Sequence, residues 1–189
     1  MLGIDDIAAL IASAERDANG LPPVHKWNPP LSGTMDMQIR SDGRWFYLGS
    51  EIKRPRMVKL FSTILRRDED TYFLVTPVEK WIIQVDDAPF VTTTVERVHD
   101  AASGGIEKLI FTTNIGVTVI AGKSHPIRVE LDADGQPRPY LRVRDNLEAL
   151  INRNAFYQLV EWAHSSDGDD TALIESDGET FTLGSFLSS

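Results

Sequence analysis

The residues with the most evident chemistry are five basic ones in two similar settings. Lys53, Arg54 and Arg56 lead into the run 56–67, and Arg142 and Arg144 lead into the run 146–164. Guanidinium groups grip phosphates and carboxylates through paired, charge-assisted hydrogen bonds. A helix starting at Pro55 or Arg56 adds unpaired backbone N–H groups and the positive end of its dipole. The spacing therefore predicts an anion site. Two helix starts, each beside an Arg-x-Arg, would converge on one small anionic ligand between two lobes, with His25 and Trp27 closing the pocket edge. The competing reading is structural: the same cations pair with acids such as Glu51, Asp145 or Glu148, Trp27 plugs the core, and His25 is a surface histidine.

The basic residues stand out against an acidic chain. Between Arg40 and Arg67 there are eight Lys/Arg and two acids, whereas all 189 residues together carry a net charge of −9. With a pI near 4.9, bulk binding of nucleic acid is disfavoured, because such binders usually carry positive charge. Local potential governs a cleft, so a small anion can still be captured. Hydrophobic residues make up 42% and charged residues 25%, close to the averages of globular proteins. The length suits one large domain or two small ones. The absence of cysteine excludes disulfides, thiol catalysis and thiolate metal sites. Apolar runs such as 117–122 fall far short of the roughly 18–20 residues of a membrane helix. The amphipathic, acidic start MLGIDDIAALIASAERD is unlike a signal peptide. A soluble cytoplasmic protein, with no membrane contact, is the expectation.

Enzyme patterns are lacking. The chain has no GxSxG, Walker loop, Rossmann glycine pattern or HExxH. His25, His99, His125 and His164 are scattered singly, without metal-ligand spacing. His99 and Asp100 are adjacent on a strand and point to opposite faces. Asp167, Asp169 and Asp170 resemble the start of a calcium loop but lack its later ligands. Ser32-Gly33-Thr34 offers a nucleophile only if a base approaches in space. No catalytic residue, metal or cofactor is assigned. A non-catalytic binding module leads, ahead of a protein-interaction adaptor presenting exposed strands or the aromatic run RWFYLG (44–49) and of a hydrolase acting on a phosphorylated substrate.

These residues need elements to position them. Residues 4–18 read as an amphipathic helix, ended by Asn19-Gly20 and by Pro22-Pro23. Four prolines between Pro22 and Pro30 make the next segment irregular. Met35, Met37 and Ile39 alternate with polar residues and predict a strand over 35–40, followed by the Asp42-Gly43 turn and a return strand over 44–49. Pro55 suits the first turn of a helix over 56–67 whose stripe is Met57, Leu60, Phe61, Ile64 and Leu65. A hairpin over 71–76 and 78–85 follows. From 86 onward the chain is strand-rich (90–98, 106–112, 117–121, 125–132 and 140–143), with a long helix predicted over 146–164 and a last hairpin around Asp177-Gly178.

The order strand, Asp-Gly turn, strand, Arg-x-Arg, helix, hairpin is written twice, once over 35–83 and again over 127–183, with Asp42 matching Asp134. By the logic of internal repeats this predicts an α+β fold of two duplicated lobes, 1–85 and 86–189, the second larger.

The segments HKWNPPLSGTMDMQIRSDGRWFYLGSEIKRPRMVKLF, TYFLVTPVEKWIIQVDDAPF and YLRVRDNLEALINRNAFYQLVE resemble the bacterial domain-of-unknown-function family numbered 1285, over nearly the whole chain from about Pro23. The resemblance implies a duplicated two-lobe α+β fold, with a carboxy-terminal lobe similar to pleckstrin-homology-like barrels. It also implies a ligand site at the lobe interface, for a nucleotide-like molecule, and a signalling role.

Overall fold

The computed structural model describes residues 4–17, 20–100, 105–165 and 170–185. The chain divides into two compact units, Met1–Asp87 and Ala88–Ser189.

In the N-terminal unit, helix α1 (Ile4–Ser13) buries Ile7 and Ile11. It stops five residues earlier than its pattern suggests; Asn19 lies outside the described residues. A single 3-10 turn (Val24–Lys26) follows. Strand β1 (Leu31–Ile39) then alternates as its sequence requires, with Met35, Met37 and Ile39 at most 5% exposed. The Asp42-Gly43 turn leads into β2 (Trp45–Tyr47), which pairs antiparallel with β1. Gly43 has a φ of 81° there, a conformation that costs glycine little. Short β3 (Ser50–Glu51) precedes helix α2 (Pro55–Ser62). Then come β4 (Leu65–Asp68), β5 (Thr71–Val75) and β6 (Lys80–Val85).

The predicted helix over 56–67 is thus cut at Ser62. Leu65 to Asp68 pair with β5 across a turn at Glu69, whose φ of 55° is the left-handed region. Sheet pairing and the acidic turn Asp68-Glu69-Asp70 override the helix propensity of Leu65, Arg66 and Arg67, since tertiary context routinely outweighs propensity. The six strands form one sheet in the order β3-β2-β1-β6-β5-β4. It consists of two antiparallel meanders joined by a parallel pairing of β1 with β6.

The C-terminal unit contains β7 (Phe90–Asp100), β8 (Ile106–Thr113), β9 (Thr118–Ile120), β10 (Ile127–Leu131), β11 (Pro137–Arg144) and β12 (Leu147–Leu150). Their order, β10-β11-β12-β7-β8-β9, is again two meanders joined by a parallel pair, β12 with β7. The two units therefore share one strand order. The sequence match had set Asp42 on Asp134, which is a different register. Asp42-Gly43 joins the first two strands of its sheet, whereas Asp134-Gly135 joins the fourth and fifth of its own. Among the described residues this second sheet is open, with β10 and β9 at its edges.

Helix α3 (Arg153–Trp162) is shorter than expected. Asp145, with a φ of 46°, turns the chain into β12 instead. Leu147 and Ala149 point inward at 1% and 0% exposure, a period of two. Asn152 then caps α3, its side-chain oxygen accepting from the Ala155 N–H at 2.7 Å. The Asn152 amide nitrogen donates to the Thr92 and Thr93 carbonyls of β7. A final three-stranded sheet holds β13 (His164–Ser165), β14 (Thr171–Ser176) and β15 (Glu179–Ser185). Ser176 ties it to β8 and to the residue just past β9: its hydroxyl accepts from the Leu109 N–H at 2.9 Å and donates to the Ala121 carbonyl at 2.7 Å.

Candidate functional site

Of the five basic residues singled out, three lie together. Lys53 and Arg54 approach α2, Arg54 is its N-cap with extended backbone, and Arg56 is in its first turn. All three are exposed. Pro55 at the helix start removes one backbone donor, and the Met57 and Val58 N–H groups both bond back to the Arg54 carbonyl. The helix start therefore offers little beyond the Arg56 N–H, and charge comes from side chains. No acid stands in the first turn of α2 to neutralise them. Nor does the acid proposed as a partner: Glu51 lies 3.7 Å from Arg44 instead. None of Lys53, Arg54 and Arg56 takes part in an ion pair among the described residues.

The three line a cavity of about 690 Å³ between α1 and α2. The other described residues of its wall are apolar: Ala8 of α1, with Pro55, Met57 and Leu60 of α2. Helical spacing places Met57 and Leu60 on one side of α2, and both are half-buried while Phe61 behind them is fully buried.

Arg142 and Arg144 do not precede a helix. They lie on β11, because the residues after them form β12. Arg142 is exposed. Arg144 is half-buried with its guanidinium 5.4 Å from the Phe90 ring centre, and burial pulls it below its ordinary range while Asp145 pushes it back up. Glu148, another suggested partner, is held by Arg128. That guanidinium donates to both Glu148 oxygens at 2.7 and 2.6 Å, reaches Glu130 as well, and stacks 4.4 Å over Tyr140. The Glu148 hydrogen bonds raise the Arg128 value beyond its already high range.

His25 and Trp27 are outside the lining of the α1–α2 cavity. His25 is exposed on the 3-10 turn, and Trp27 is half-buried. Both flank the Arg66 anchor: the Arg66 guanidinium donates to the Trp27 carbonyl at 2.8 Å and the Val24 carbonyl at 3.3 Å. It also pairs with Asp68, which Lys80 reaches at 2.6 Å. Burial tends to raise the Asp68 carboxyl, but the Lys80 and Arg66 hydrogen bonds outweigh it and the net direction is down.

In the run 44–49, proposed as a partner surface, Trp45 and Phe46 are buried at 1% and 9% exposure, Tyr47 is half-buried, and Arg44, Leu48 and Gly49 are exposed. His99 meets an acid across the sheet. Its Nδ1 is 3.0 Å from Glu107 on the facing strand, an acid that Arg97 also holds. His99 and Arg97 together keep Glu107 below the usual carboxylate range. That cross-strand cluster was invisible in the linear sequence, because it depends on β7–β8 register. Asp167 and Asp169 lie outside the described residues. Among the described residues no cluster of His, Asp and Glu could hold a metal ion, and no helix is long and apolar enough to cross a membrane.

A larger cavity, about 920 Å³, opens in the C-terminal unit between β10, α3 and β15. Ile127, Val129, Leu131, Phe156, Phe181 and Leu183 contribute its apolar wall, and its cation, Arg128, is already paired. The two cavities thus differ in chemistry: one offers unpaired positive charge and the other does not.

Two mixed units, each built on a six-stranded sheet of the same strand order, define a mostly-sheet α+β protein of two domains. Family models match both: the N-terminal domain of DUF1285, a domain of unknown function, over residues 22–88, and the C-terminal domain of DUF1285 over residues 89–183. The chain belongs to the DUF1285 family. It is similar to a DUF1285 family protein from Silicibacter pomeroyi DSS-3, with 45% identity and a TM-score of 0.84, covering 98% of this chain and 96% of that one. A DUF1285 family protein from Shewanella baltica OS155 is 31% identical with a TM-score of 0.52, covering 67% of this chain and 91% of that one. No curated protein matches.

Proposed function

We propose that this chain is a non-catalytic module that binds a small anionic ligand, with a signalling or regulatory role. Lys53, Arg54 and Arg56 supply the charge. The observation that carries this reading is the unpaired state of three exposed cations on one cavity, in a chain whose net charge is −9. Four other arginines are engaged, Arg44 with Asp42, Arg66 with Asp68, Arg97 with Glu107 and Arg128 with Glu148; exposed Arg142 has no ion pair among the described residues either but lies outside this cavity's lining. Cations at a helix start also oppose the helix dipole. Such local violations of the rules of stability are expected where a ligand is to be met. Among the described residues the cavity lining contains neither a carboxylate nor a histidine to move a proton, which favours binding over hydrolysis. The likeness of the C-terminal unit to a pleckstrin-homology-like barrel belongs to the same proposal; six strands followed by a helix favour it, and the open sheet edges at β10 and β9 among the described residues count against closure.

A thermal-shift panel of phosphate, sulfate, nucleotides and organic carboxylates tests the reading. A ligand at a hundred times its dissociation constant adds about 2.7 kcal/mol of stability. The expected outcome is an upward shift with at least one anion that is lost in Arg54→Gln/Arg56→Gln. A shift of equal size in that variant contradicts it.

A further inference from the structure

Resting on the anion-binding reading of the same cavity, we infer that its ligand is an amphiphilic anion: a carboxylate or phosphate head on an alkyl or aryl body. The class follows from what the side chains of the described lining residues can exchange. Lys53, Arg54 and Arg56 only donate hydrogen bonds. Ala8, Pro55, Met57 and Leu60 offer alkyl and thioether surface and no side-chain acceptor. A sugar phosphate or nucleotide carries several hydroxyl or amino donors that meet no side-chain acceptor among these residues, and any donor turned onto the apolar wall is left unpaired, a costly exchange. An anionic head instead accepts from the cations, and an apolar body covers the α1–α2 wall. A volume of about 690 Å³ accommodates such a molecule, since ligand pockets span roughly 300–1,000 Å³. Met57 suits a variable apolar body, because its unbranched, polarisable side chain adapts to different shapes.

Isothermal titration with hexanoate, octanoate and decanoate, each as monomer, tests this. Inorganic phosphate, adenosine monophosphate and decanol serve as comparisons, and vesicles of anionic phospholipid form a separate arm. The expected result is affinity rising roughly threefold per added methylene, below the full-burial limit because the cavity is open. Decanol should bind at least tenfold more weakly than decanoate. Arg54→Gln/Arg56→Gln should remove that preference for the charged head, and Ala8→Leu, which fills part of the apolar wall, should flatten the chain-length series. Phosphate or adenosine monophosphate binding as tightly as decanoate, with no chain-length trend, overturns the amphiphile inference and leaves the anion reading standing. No binding by any anion overturns both. Binding to vesicles without binding to monomeric decanoate overturns the single-molecule ligand and assigns the cations to a lipid surface.

Discussion

Lysine and arginine side chains in this protein fall into two groups, and the difference is measurable as stability. Arg66 holds two carbonyls of the proline-rich entry and one carboxylate, so Arg66→Gln should lower stability by about 2 kcal/mol, the usual worth of charge-assisted hydrogen bonds lost. Arg54 and Arg56 have no such partners and sit at the positive end of a helix. Arg54→Gln/Arg56→Gln should leave the ligand-free protein unchanged or raise its stability by roughly 0.3–1 kcal/mol per charge. Urea unfolding of the three proteins decides this. A large loss in the double variant would show those arginines to be structural after all.

Secondary elements carry a second kind of evidence. Arg128 on β10, Tyr140 on β11 and Glu148 on β12 lock three neighbouring strands through one planar guanidinium. Lysine keeps the charge but not the fork or the stacking. Arg128→Lys should therefore cost about 1 kcal/mol, a modest figure because the Arg128 side chain is 41% exposed, and a stability equal to wild type would refute the account. Element boundaries also show what the sequence holds and what it hides. The alternation of Met35, Met37 and Ile39, the Asp42-Gly43 turn and Pro55 at a helix start are local signals, and each is realised where it was read. Leu147-Glu148-Ala149-Leu150 was read as helix because its residues favour helix. The Asp145 turn and pairing with β7 and β11 make it a strand. That change also moved Arg142 and Arg144 from a helix start to β11. Lys53, Arg54 and Arg56 were legible as a group because one short segment carries them. Ala8 was not, since only the packing of α1 on α2 brings it near.

At the scale of the molecule, acid sensitivity follows from paired carboxylates. The Arg44 backbone N–H and guanidinium lower Asp42, Lys80 and Arg66 lower Asp68, and His99 and Arg97 lower Glu107. Each has a folded-state value below its ordinary one, 3.8 for aspartate and 4.5 for glutamate. Their contributions are therefore fully present above those ordinary values and are lost as pH falls through the lower folded ones. Stability measured by denaturant should vary little through these groups above about pH 5 and should decline below about pH 4. A decline beginning near pH 6 would contradict this assignment to the three carboxylates. The shared strand order of the two units is a whole-chain property that no short motif announces. It appears only when parallel pairings, β1 with β6 and β12 with β7, are known.

The most direct test of the central claim is a titration of the isotopically labelled protein followed by amide and guanidinium resonances, using decanoate and phosphate. The account predicts that shifts concentrate on Ala8 and on Lys53 to Leu60, and vanish in Arg54→Gln/Arg56→Gln. Shifts centred on β11 around Arg142, or none at millimolar anion, would contradict it.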